Sequence, residues 1–211
     1  MEDFNMSWNL LGILIWVVII LYLIVIIQNI RTRRIKMIVK DHKHFTWKNF
    51  TITVVEVAVF LLAAGWVLDQ GIFDNPDLND SSRITSTVKY EPLVMNTGAG
   101  NSTYVKINAA TRKNGTQTYT YYRAGSKTTV SGNYASVAYG NTANDVNAAR
   151  IPYEKKMLNK MDKKYQRAYV AIYTAKYKNN WQNGIGLHAN RIATRYYLIR
   201  IPDDSFIKTE K

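Results

Sequence analysis

The chain has 211 residues, a formal charge of +13 and no cysteine. That length holds one ordinary domain with a membrane anchor, or one larger soluble domain. Without cysteine there are no disulfides, thiolate zinc sites, CxxC redox pairs or cysteine nucleophiles, and the basic balance points to an anionic partner.

The first element is WNLLGILIWVVIILYLIVII, 20 residues from Trp8 to Ile27 without a charge. At 1.5 Å per residue it covers about 30 Å, the thickness of a bilayer's hydrocarbon core. It lacks the polar face that a buried helix of a soluble domain shows every three or four positions. Glu2 and Asp3 flank it in residues 1–7, and no small-residue cleavage site follows. It therefore reads as a retained transmembrane helix over 8–27, not a signal peptide.

Residues 28–49 carry Arg31, Arg33, Arg34, Lys36, Lys40, Lys43 and Lys48. The second apolar run, 50–68, reads as transmembrane helix 2, and a polar linker with four aspartates follows over 69–82. All the basic residues near the runs thus lie between them, which makes 28–49 a cytoplasmic loop and puts both termini outside. Trp8, Trp47 and Trp66 near the run ends suit the membrane interface. A loop tied to the membrane at both ends has little room to wrap a duplex, so no nucleic-acid partner is expected. Ile35, Ile38, Val39 and His42 recur at helical spacing, as in a short helix lying on an anionic inner leaflet. His42 and His44 have no third ligand nearby, and no metal site is expected.

Glu56 is the ionisable group inside the second run. It lies about 9 Å deep on a straight helix. It can snorkel outward, pair with Lys48 or a loop arginine, or engage a partner helix.

Residues 83–211 form a basic extracytoplasmic domain, with 21 Lys and Arg against 7 Asp and Glu, and 14 of the 15 tyrosines. ITSTVKYEPLVM, TYVKINAAT, TQTYTYYRAG and TTVSGNYASVAYG alternate as strands do, and Asn114-Gly115 marks a hairpin. PYEKKMLNKMDKKYQ reads as a helix with Met157, Leu158, Met161 and Tyr165 as its stripe. The β-branched residues of AYVAIYTAKY favour a strand from about Ala168, and NRIATRYYLIRIP reads as the last strand. The expected fold is a membrane helical hairpin followed by an α+β domain around a mostly antiparallel sheet.

WNLLG at the start of the first run, IRTRRIKMIVKDHKHFTWKNF between the runs and the basic Tyr-rich tail resemble a family of small two-span membrane proteins of lactic acid bacteria, which has no assigned function. The resemblance covers the hairpin well and the rest in general character. It implies a Gram-positive cell membrane and carries over no catalytic residue.

No catalytic constellation stands out. His188 is alone in 83–211, GxSxG and HExxH are absent, and Asp203-Asp204 after Pro202 reads as turn chemistry. The expectation is a non-enzymatic membrane protein without cofactor whose basic domain binds anionic cell-envelope components, such as wall polymer, or a protein partner. Lys155, Lys156, Lys160, Tyr169, Tyr173, Tyr177, Arg195 and Arg200 are the expected anionic-partner surface. A rival makes the chain an accessory subunit of a larger membrane complex, engaged through the hairpin and Glu56. A cell-envelope enzyme without a recognisable motif ranks below both.

Overall fold

The computed structural model describes residues 7–42, 44–97, 102–110, 115–140 and 150–210. They fall into two units: a helical one reaching Asp77 that also includes Tyr177–Arg191, and a sheet unit of Leu78–Lys176 and the residues from Ile192.

In the helical unit α1 spans Asn9–Asp41, 33 residues. The basic segment after Ile27 therefore stays helical and is not an extended loop. Neither Gly nor Pro interrupts 28–41, and its Arg, Lys, Gln and Met favour the helix. The short interfacial helix expected there is the continuation of α1. At 1.5 Å per residue α1 is about 50 Å long, well beyond a hydrocarbon core. It ends at His42, whose left-handed backbone (φ 51°) lets its N–H reach the Met37 carbonyl.

Helix α2, Trp47–Leu68, packs against α1 and runs into a wider π-turn at Asp69–Phe73. Both helices are long and apolar enough to cross a membrane. Their side chains find little cover in the chain itself, with Leu14 61 % and Leu62 75 % exposed.

The sheet unit holds two four-stranded sheets and a helix. The first sheet is ordered β1 (Ile84–Pro92), β6 (Tyr169–Tyr177), β7 (Ile192–Ile201), β5 (Ala135–Tyr139). The second is ordered β4 (Ser126–Ser131), β3 (Thr118–Arg123), β2 (Val105–Asn108), β8 (Ile207–Glu210). Helix α3, Lys155–Lys164, lies where the Met/Leu stripe predicts it.

The first sheet is covered on both faces. Val170, Ile199, Ile201 and Ala135 pack against Val105, Tyr121 and Val130 of the second sheet. On the opposite side Tyr169, Ala171, Leu198 and Ala138 pack under Leu158 and Met161 of α3. Strand alternation sends neighbouring residues of β6 to the two different cores.

The α+β class is as expected, and antiparallel pairings outnumber parallel ones among those described, but both sheets are mixed. β6 and β7 run antiparallel, as do β2–β3 and β3–β4, but β5 pairs parallel with β7 and β2 parallel with β8. Antiparallel neighbours leave a local turn signal, whereas parallel pairs close through long crossovers that leave none. The expected hairpin joins β2 to β3 with Asn108 opposite Thr118, although Asn114 lies outside the described residues. Asp203 does turn the chain: its Oδ1 accepts from the Ser205 N–H at 3.0 Å. The short strand β8 follows that turn.

Residues 177–191, which join β6 to β7, interrupt the expected continuous 83–211 domain and group with the helices. They contain α4, Trp181–Ile185, which Asn180 caps by accepting from the Asn183 N–H at 2.9 Å. Asn9 of α1 clasps this segment, donating to the Ala189 carbonyl and accepting from the Ala189 N–H, each at 3.0 Å. Gly12 and Gly184 are what allow the approach: a Cβ on Gly12 would overlap the Gly184 carbonyl, and one on Gly184 the Trp8 carbonyl.

Gly12→Leu should therefore drive 177–191 off α1, since overpacking costs about 1–3 kcal/mol. Hydrogen exchange should show amides 179–189 exchanging at least about tenfold faster, with Val170 and Ile199 unchanged.

Candidate functional site

Where the sheet unit's two sheets diverge, a groove of about 400 Å³ opens. Strand alternation builds it: Thr87, Lys89 and Glu91 of β1 enter from one edge, and Tyr121 and Arg123 of β3 from the second sheet. Its floor is Ile172 and Tyr197, with Thr174 and Arg195 opposite each other in the β6–β7 register.

Three cations and one carboxylate thus line the groove. Glu91 pairs with Lys89 (2.6 Å) and with Arg123. Hydrogen bonds from Lys89 and then from Arg123 hold the Glu91 carboxyl below its usual range. Arg195 is exposed and has no ion-pair partner among the described residues. The Tyr121 hydroxyl is buried, and that burial pushes its pKa up to about 12. Such a groove offers charge, hydroxyl donors and ring surface to an anion. Its one carboxylate is held ionised between two cations, which leaves it poorly suited to act as a base.

The remaining expected site residues are dispersed. Lys155, Lys156 and Lys160 are exposed on α3. Tyr169 and Tyr173 are 0 % and 1 % exposed, core and not surface. Their strand lies between β1 and β7 and beneath α3, so this face of β6 never meets solvent. The near-continuous run of apolar and small residues in YVAIYTA already carried that signal. Tyr177 is half-buried and stacks on His188, centroids 5.1 Å apart. His188 Nε2 is 3.0 Å from the Gly71 carbonyl, so this histidine is a packing residue.

Arg200 also leaves the expected surface. It is 2 % exposed and grips Asp162 of α3, Nη2 to Oδ2 at 2.6 Å and Nε to Oδ1 at 3.2 Å. Tyr169 donates to the same carboxylate at 2.8 Å. A buried guanidinium needs such a partner.

Arg31, Arg34, Lys36 and Lys48 are exposed on α1 and α2; Lys40 lies in α1, and Lys43 lies outside the described residues. Arg33 instead turns inward to Glu56 of α2, with Nη1 donating to Oε1 at 3.0 Å. Asn29 donates to the same oxygen at 2.7 Å. Of the three roles open to Glu56, the structure shows pairing with a basic residue of the expected loop. Among the described residues no group of three or more His, Asp or Glu is placed to hold a metal.

A family model with the bare description "-like", which names no activity, matches residues 7–208, taking in both helices and both sheets. No curated protein and no solved structure matches the chain.

The Asp162–Arg200 pair generates a pH prediction. Burial raises the Asp162 pKa, but the bonds from Arg200 and Tyr169 outweigh it and hold the carboxyl below its usual range. A lowered folded pKa contributes stability above the unfolded value of about 4 that is lost as pH falls through the folded value. Thermal melts should show this acid loss flattened in Asp162→Asn, and Arg200→Ala should cost about 3 kcal/mol at neutral pH.

Proposed function

Because the chain belongs to this uncharacterised family, whose model takes in helices and sheets alike, we propose that it is a non-enzymatic integral membrane protein of a Gram-positive cell envelope, with its basic sheet unit outside the membrane. The groove of Lys89, Arg123 and Arg195 takes hold of an anionic, phosphate-bearing envelope polymer. The observation that carries this reading is Arg195: an exposed cation with no ion-pair partner among the described residues, lining one groove with two more cations and with Ile172 and Tyr197. Charge attracts the chain of phosphates, and the rings and hydroxyls supply contact area once it is in place.

Membrane insertion is supported by two helices of sufficient length whose apolar side chains the chain leaves uncovered. Both termini outside is supported by Arg31, Arg33, Arg34, Lys36, Lys40, Lys43 and Lys48, which all lie in the sequence between the two apolar runs. The accessory-subunit reading has less support, because Glu56 already has Arg33 and Asn29 as partners within the hairpin.

Topology is tested with reporter fusions: a fusion after Lys211 should be active only outside, one at Lys43 only inside. For the groove, full-length protein in neutral nanodiscs is titrated with poly(glycerol phosphate). Arg195→Glu should weaken binding by tenfold or more, and Lys155→Glu, the same charge change on α3, by under threefold. Binding should fade between 0.1 and 1 M salt as the screening length drops from about 10 Å to about 3 Å. Equal loss in both variants would reduce the interaction to net charge.

A further inference from the structure

The helical unit carries a basic site of its own. Between the last turns of α1 and the first turns of α2 lies a cleft of about 220 Å³, lined by Arg33, Arg34, His44, Phe45, Asn49 and Phe50 among others. We propose that this cleft binds one anionic phospholipid, taking its headgroup phosphate between Arg34, Arg33 and His44. The proposal rests on the membrane-insertion part of the reading above and is independent of the groove.

Four observations converge. Arg34 is exposed and has no ion-pair partner among the described residues. Arg33 uses its terminal nitrogens on Glu56, yet its buried Nε–H has no acceptor. Among the described residues the Thr46 hydroxyl and the Asn49 amide donate to the Met37 sulfur alone, at 3.5 and 3.6 Å. A thioether is a weak acceptor, so a phosphate oxygen entering the cleft would draw both donors away from it. Cations and spare donors at one point are what a phosphate requires.

The surroundings select a lipid over a soluble phosphate. Phe45, Trp47 and Phe50 form a ring cluster with centroids 5.5 to 5.9 Å apart, edge-to-face at Trp47 and tilted between the two phenylalanines. All three are largely exposed, Trp47 at 74 %. Aromatic rings left bare beside cations suit the headgroup level of a bilayer. The cleft holds a headgroup only, and acyl chains would continue along the bare apolar flanks of the helices, where Ile27 and Val54 are exposed. Basic pockets between membrane helices on the cytoplasmic side recognise anionic headgroups by this combination.

The full-length protein, purified in neutral detergent, is mixed with phosphatidylglycerol, phosphatidylcholine or free glycerol phosphate. Bound lipid is counted by native mass spectrometry. Wild type should retain one phosphatidylglycerol at least about tenfold more tightly than phosphatidylcholine, and no free glycerol phosphate. Arg34→Gln should lose about tenfold, the scale of one charge-assisted contact, with partial recovery in Arg34→Lys. Arg31→Gln, an equal charge change outside the cleft lining, should be unaffected, and circular dichroism should show helix content intact in all variants. Equal loss for Arg31→Gln and Arg34→Gln, or no preference for phosphatidylglycerol, overturns the site. Free glycerol phosphate binding as tightly as the lipid overturns the lipid assignment. Alkaline carbonate extraction of cell membranes separates this from the broader reading: a protein released by carbonate was never inserted, whereas one retained without lipid preference loses only the cleft.

Discussion

The sheet unit depends on one constraint, the covering of its first sheet on both faces. β6 and β7 send Val170 and Ile199 into one core and Tyr169, Ala171 and Leu198 into the other. Each large apolar side chain so buried contributes about 1.5–3 kcal/mol. The same burial decides where charge can go. Arg200 at the end of β7 is enclosed, and it is tolerated because Asp162 reaches it from α3. Lys89 and Arg195 of this sheet instead line the groove, together with Arg123 of the second sheet.

The helical unit solves the matching problem of a charge among apolar residues. Glu56 lies within the apolar run of α2, and Arg33 and Asn29 reach it from α1. That engages one member of the basic cluster, while Arg34 beside it has no ion-pair partner among the described residues. At the far end of α1, glycine at positions 12 and 184 allows backbone-to-backbone approach between α1 and α4. Residues 177–191 thereby belong to the helices although their chain neighbours are strands.

How much of this the sequence carried follows from how local each signal is. The two apolar runs, α3 and the strands that form β6 and β7 show in periodicity, because each is set by its own residues. The parallel pairings and β8 do not, since they join segments far apart in the chain. Tyr169 and Tyr173 looked like surface because tyrosine is amphipathic; the structure packs α3 over Tyr169 and Tyr153 against Tyr173. Arg195 was legible as a candidate, but Lys89, Glu91 and Arg123 were not. Their alternation along β1 and β3 marks a face, and only the packing of two sheets says which face opens to a groove.

The claim that this groove grips an anion is tested most directly by watching its arginines. With full-length protein in nanodiscs and arginine side chains isotopically labelled, Nε–H resonances are followed as poly(glycerol phosphate) is added. Arg195 and Arg123 should shift together and saturate with a single binding curve, while Arg200, held by Asp162 inside the core, stays still. Shifts spread evenly over all exposed arginines with no saturation, or an unmoved Arg195, would contradict it.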